Sequence, residues 1–87
     1  MNTEEEKEFQ RIKQAIAAQV RSARAFCDKT QKEIAGAAGI SVRELSLIER
    51  GKANARLATV GKILAVMGFR LALGAVPWEK KEEVKHG

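Results

Sequence analysis

Tyrosine is absent from this chain, and cysteine, proline, tryptophan and histidine occur once each. A single cysteine, Cys27, excludes any disulfide within the chain and fits a reducing, intracellular setting. Near the end of an apolar helix face, a lone thiol reads as small filler rather than a redox group. One proline and seven glycines argue against a fibrous or Pro/Gly-rich disordered polymer. The lone histidine, His86, lies almost at the end and reads as a solvated tail residue. No Ser/His/Asp set, metal-ligand spacing or phosphate-binding loop is present, so no enzyme, no metal and no cofactor is expected. No apolar run approaches the ~20 residues of a membrane span, and the acidic opening resembles neither a secretory signal nor a transit sequence. A soluble protein, cytoplasmic or nucleoid-associated, is the expectation.

What remains is a chain of 87 residues, 45% apolar, the size of one domain whose single core is modest. Sixteen Lys and Arg against eleven Asp and Glu leave a net charge of +5. The excess is concentrated: Arg21, Arg24, Lys29, Lys32, Arg43, Arg50, Lys52 and Arg56 face only Asp28, Glu33, Glu44 and Glu49 over the same stretch. A polyanion suits such a surface.

Within that stretch, residues 30–51 read TQKEIAGAAGISVRELSLIERG. Thr30 precedes Glu33 by three and Ser41 precedes Glu44 by three, so each hydroxyl can cap a helix whose third residue caps back. Gly39 provides the hinge between them. Ala35 is small where two helices would cross closely, and Ile34, Ile40, Leu45 and Ile48 supply an apolar seam. The spacing is that of a helix-turn-helix, whose second helix is shaped to enter a DNA major groove.

The rest of the chain reads as mainly α. A first helix is predicted from Thr3 to Phe26, with Glu4, Glu5 and Glu6 against its positive end and an apolar stripe of Phe9, Ile12, Ile16, Val20, Ala23 and Phe26. The second spans 31–38, the third 42–50, and a fourth Arg56–Met67 with a stripe of Leu57, Val60, Ile63, Leu64 and Met67. After Gly68 the period changes to two: Phe69, Leu71, Leu73 and Ala75 alternate with Arg70, Ala72, Gly74 and Val76, which is strand-like up to Pro77. A lone strand leaves backbone groups unpaired, so it calls for the same strand of a second copy, antiparallel across a two-fold axis. The alternative is an irregular or short helical tail packed on its own domain. The expected organisation is an N-terminal extension of the first helix over 1–15, a DNA-binding domain over 16–67, a dimerisation strand over 68–78 and a charged flexible tail over 79–87.

From Ile16 to Met67 the chain resembles the lambda-repressor-like helix-turn-helix family, the Cro/repressor and XRE type. The resemblance is carried by Val20-Arg21-Ser22-Ala23-Arg24, Thr30-Gln31-Lys32-Glu33-Ile34-Ala35, Gly39-Ile40-Ser41, Ile48-Glu49-Arg50-Gly51-Lys52, and Leu57-Ala58-Thr59-Val60 with Lys62-Ile63-Leu64. It implies a four-helix DNA-binding domain and a transcription regulator, a repressor binding a palindromic operator as a homodimer. Ala55 departs from the family's frequent proline. A strand after Met67, where many relatives continue into a fifth helix, is similar to antitoxins of the HipB type, which repress their own operon and bind a toxin kinase partner.

On a 3.6-residue repeat with Leu45 and Ile48 inward, the outward face of the third helix is Val42, Arg43, Ser46, Leu47 and Arg50. Arg43 is the best base reader, because its fork can bond both acceptors of a guanine. Leu47 either touches a thymine methyl or is neutral, and Ser46 can bond a base or a phosphate. Gln31, with the free N–H groups opening its helix, is expected on phosphate. Lys52, Asn54 and Arg56 join it there, with Lys32 and Lys29 at the edge; Ser41 is a cap that can also donate to phosphate. Arg24 and Glu49 read as ion-pair residues. The rival reading is a protein-interaction module that neutralises a toxin or docks a partner, with Trp78 as an interface anchor unless it packs on the dimer strand.

Overall fold

The computed structural model describes residues 2–77, which form four helices and no strand. Trp78, the tail over 79–87 and His86 lie outside the described residues. Helix α1 covers Thr3–Ala25, α2 Gln31–Ala38, α3 Val42–Glu49 and α4 Leu57–Val66. The ends expected at Phe26, Arg50, Arg56 and Met67 are the flanking cap residues.

Local chemistry places the boundaries. The Asn2 side chain accepts from the Glu5 N–H at 2.8 Å and Glu5 returns a bond to the Asn2 N–H, closing a box that holds α1. Thr30 and Glu33 close the same box on α2. On α3 only half of it forms: Ser41 Oγ accepts from the Glu44 N–H at 2.9 Å, with no reciprocal bond from Glu44. Helix α2 ends because Gly39 turns left-handed, at φ +76°, and lets the Ile40 N–H reach back to the Ala35 carbonyl. Helices α3 and α4 stop with the same pair of bonds, Lys52 to Leu47 and Phe69 to Leu64 closing the outer ring.

Helix α1 packs on α3 and α4, and α2 on α3 and α4. The core is built from Val20 and Ala23 of α1, Ile34, Ala35 and Ala38 of α2, Leu45 and Ile48 of α3, and Val60, Ile63, Leu64 and Met67 of α4. Val20, Ile34, Leu45, Val60, Ile63 and Leu64 are the largest fully enclosed side chains, each stabilising the fold by about 1.5–3 kcal/mol relative to exposure. Cys27 is half-buried against this core, as filler.

Two stripes differ from expectation. Phe9, Ile12 and Phe26 of the α1 face and Leu57 of the α4 face are exposed, while Ala17, outside the predicted stripe, is enclosed. A 23-residue helix is about 35 Å long, and its first turns reach past the other three helices, so nothing among the described residues covers them. There Arg11 bonds Glu8 at 2.6 Å and holds that carboxyl below its ordinary range. No described helix is long and apolar enough to cross a membrane.

The expected strand over 68–78 is not formed among the described residues. From residue 69 to 77 the chain runs without helix, turn or bend, and Leu71 packs against the core. The α1 side chain of Gln19 holds it at one residue, donating to the Ala72 carbonyl at 3.3 Å and accepting from the Ala72 N–H at 3.4 Å. The irregular tail weighed as the alternative is what a single copy displays.

Candidate nucleic-acid interface

Helix α3 has a buried back and an open front. Leu45 and Ile48 are 0% and 2% exposed, whereas Val42, Arg43 and Arg50 are open. Ser46 and Leu47 are half-buried, so they lie at the flank of the face rather than on its crest. The Arg43 side chain makes no hydrogen bond or ion pair among the described residues, leaving its guanidinium available in the first turn.

The far end of α3 is tied down through one carboxylate. Glu49 is 6% exposed and sits at the negative end of its helix, a poor place for an anion without compensation. Three side chains supply it. Gln31 Nε2 donates to Glu49 Oε1 at 3.0 Å, and Arg24 Nε lies 2.6 Å from Oε2. That second approach is a charge contact whose N–H does not point at the oxygen, so neither atom has a hydrogen bond of its own. Arg21 Nη1 donates to the Glu49 main-chain carbonyl at 2.6 Å, satisfying a carbonyl the helix leaves open. A buried pair of this kind adds little net stability against an apolar substitute, but removing one partner is costly. Its effect here is geometric, since it joins α1, α2 and α3 at one point. The ion-pair roles expected of Arg24 and Glu49 are those observed.

Gln31 is therefore anchored as well as placed at the start of α2. Beside it, the main-chain N–H groups of Gln31 and Lys32 have no acceptor among the described residues, because Thr30 takes only those of Glu33 and Ile34. Lys32, Lys52, Asn54 and Arg56 are exposed. Arg56 is the N-cap residue of α4 without a side-chain cap bond, so the first turn of that helix also opens with free donors. The starts of α2 and α4 thus open with free donors, and with the open front of α3 they carry basic side chains, a set of groups that suits an anion.

Sequence reasoning missed three contacts. Arg21 enters the sequence reading as charge and as part of the Val20–Arg24 motif but with no contact assigned, although its position three residues before Arg24 puts both on one helix face. Gln14 of α1 lies over Gly51, whose φ of +70° ends α3, and a side chain at 51 would meet the Gln14 amide. No local pattern announces that contact, nor the Gln19 clamp on Ala72. Of the residues expected to pair two copies, Phe69, Leu73 and Ala75 are exposed and Leu71 is half-buried.

A family model described as helix-turn-helix matches residues 20–73, more than half of the chain. No curated protein and no solved structure matches it significantly.

Proposed function

Because the chain belongs to the helix-turn-helix family, of the lambda-repressor-like XRE type, we propose that it is a repressor that reads double-stranded DNA by sequence and binds a palindromic operator as a homodimer. The observation that carries this reading is Arg43. Among the described residues it stands unpartnered, in the first turn of a helix whose back is enclosed and whose last residue is tied to α1 and α2. The front of α3 enters the major groove, and Arg43 bonds a guanine edge with Val42 and Ser46 beside it. Gln31, Lys32, Ser41, Lys52, Asn54, Arg50 and Arg56 hold the flanking phosphates, which sets affinity and register without choosing sequence. One such module is a small reader, so two copies engage half-sites about one helical turn, ~34–36 Å, apart.

Gel shift at low ionic strength tests this. The chain's own promoter region should be retained at concentrations that leave random fragments free, and equal retention of both overturns it.

A second reading makes the protein the antitoxin of a toxin–antitoxin module that represses its own operon. The segment after α4 supports it, since it continues to residue 77 without a fifth helix. Co-purification of the product of an adjacent reading frame, lost on truncation after Pro77 with DNA binding kept, is the expected result. A chain that purifies alone from cells expressing both frames counts against it.

A further inference from the structure

Three polar side chains converge on Glu49, and their charges do not cancel. Arg24 and Gln31 take its carboxylate, while Arg21 takes its main-chain carbonyl. A cleft lined by Arg21, Arg24, Ala25 and Glu49 opens at this point. Two guanidinium groups there face one carboxylate. Arg24 neutralises Glu49, and Arg21 pairs with no carboxylate among the described residues. The cleft therefore keeps one positive charge in excess.

The architecture gives that charge no work. The last carbonyl of α3 needs a donor, and a neutral one suffices, as the Gln31 amide shows on the same residue. What the bond to Glu49 does is fix the cation. Arg21 Nη1 donates at 2.6 Å and the residue is exposed. A guanidinium carries its N–H groups in a rigid fork, so holding one of them orients the rest.

Its place is as informative as its charge. The carbonyl that Arg21 holds belongs to the peptide joining Glu49 to Arg50. Gln31 holds the carboxylate of the same residue, so the Arg21 head lies between Gln31 and Arg50. Both of these are phosphate contacts in the operator reading. The main-chain N–H groups of Gln31 and Lys32, which have no acceptor among the described residues, open beside Gln31.

We propose that Arg21 is a further backbone contact of the DNA-binding face. Nη1 stays on the Glu49 carbonyl, and the remainder of the fork donates to a phosphate oxygen of the strand that passes the start of α2. The proposal rests on the operator reading above and adds to it a contact made from α1. Phosphate suits a planar, always-charged fork better than any neutral ligand does. Because the same guanidinium bonds the end of α3, the contact ties the reading helix to the backbone and fixes how it lies in the groove. The side chain is ordered before DNA arrives, so little freedom is lost on binding.

The salt dependence of binding tests this. Arg21→Gln keeps a donor for the Glu49 carbonyl and removes the charge, whereas Arg21→Lys keeps the charge. Operator affinity measured over a series of salt concentrations should show the slope of log affinity against log salt lowered by about 0.9 in Arg21→Gln. Arg21→Lys should keep the parent's slope. Arg21→Gln should also weaken operator and random duplexes by the same factor, roughly tenfold, as for one lost charged hydrogen bond. A smaller folded fraction lowers affinity equally at every salt concentration, so the slope reports the contact and not the fold. Arg21→Gln with the parent's slope overturns the proposal, leaving Arg21 a cap on α3 and the operator reading standing. A slope that falls as far in Arg21→Lys as in Arg21→Gln overturns it too. Failure of the operator reading itself is separate: the parent chain would then hold operator and random fragments alike.

Discussion

The Gln31 amide donates to the Glu49 carboxylate across 3.0 Å, joining the first residue of α2 to the last residue of α3. The same carboxylate lies against Arg24 of α1. Glu49→Gln keeps the shape and removes the charge. The Arg24 side chain is 36% exposed, so water screens part of the loss, and the expected cost is about 1–3 kcal/mol, at the low end for a buried pair. A thermal melt should fall by several degrees; an unchanged midpoint would show that the cluster is not structural.

Gln31→Ala leaves Glu49 with Arg24 but takes away the anchored amide. Binding should weaken by roughly three- to tenfold, as for one lost hydrogen bond, and by the same factor on every DNA sequence. Titration of operator and non-operator duplexes checks this, and a loss confined to the operator speaks against a phosphate role.

Arg43→Ala should relax base preference at a single position in each half-site, at a cost of about 1–3 kcal/mol. Binding-site selection with the variant is the direct measurement. An unchanged selected motif contradicts the assignment.

Lys52→Ala and Arg56→Ala should each lower the slope of log affinity against log salt concentration by about 0.9 if each neutralises one phosphate. Neither should alter the selected motif. A slope equal to the parent's removes that residue from the contact set.

Two glycines give opposite expectations for one substitution. At Gly51, with φ +70°, an alanine is strained by about 1–2 kcal/mol and displaces the Gln14 amide. At Gly61, within α4, nothing among the described residues stands near an added Cβ, and alanine should stabilise by about 0.5–1 kcal/mol. Paired denaturant melts of Gly51→Ala and Gly61→Ala should therefore move in opposite directions, and a common direction refutes the account.

The turn between α2 and α3 was legible because its determinants are local. Thr30, Gly39 and Ser41 act on residues within three or four positions and cap as their spacing implies, although Glu44 does not cap back on Ser41 as Glu33 does on Thr30. The core seam followed for the same reason, with Ile34, Leu45 and Ile48 enclosed. Phe9, Ile12, Phe26 and Leu57 came out otherwise, because periodicity shows which face is apolar and says nothing of what covers it. The alternation after Gly68 has a similar limit: a strand exists only beside a partner, and within one copy Gln19 supplies a side-chain amide instead. Contacts between residues remote in sequence, such as Gln14 over Gly51, leave no mark that a local reading can find. The Arg24–Glu49 pairing is intermediate, since each residue was expected in an ion pair, the arginine through the family resemblance, while the partner and the burial came from the fold.

The open front of α3 carries little of the protein's own architecture. Val42 and Arg43 point away from the enclosed seam, and the Arg43 side chain bonds nothing else among the described residues. Altering these positions should leave folding almost untouched while changing the address the molecule visits. Operator choice could thus drift, or be engineered, by substitution at a few sites on an otherwise constant scaffold.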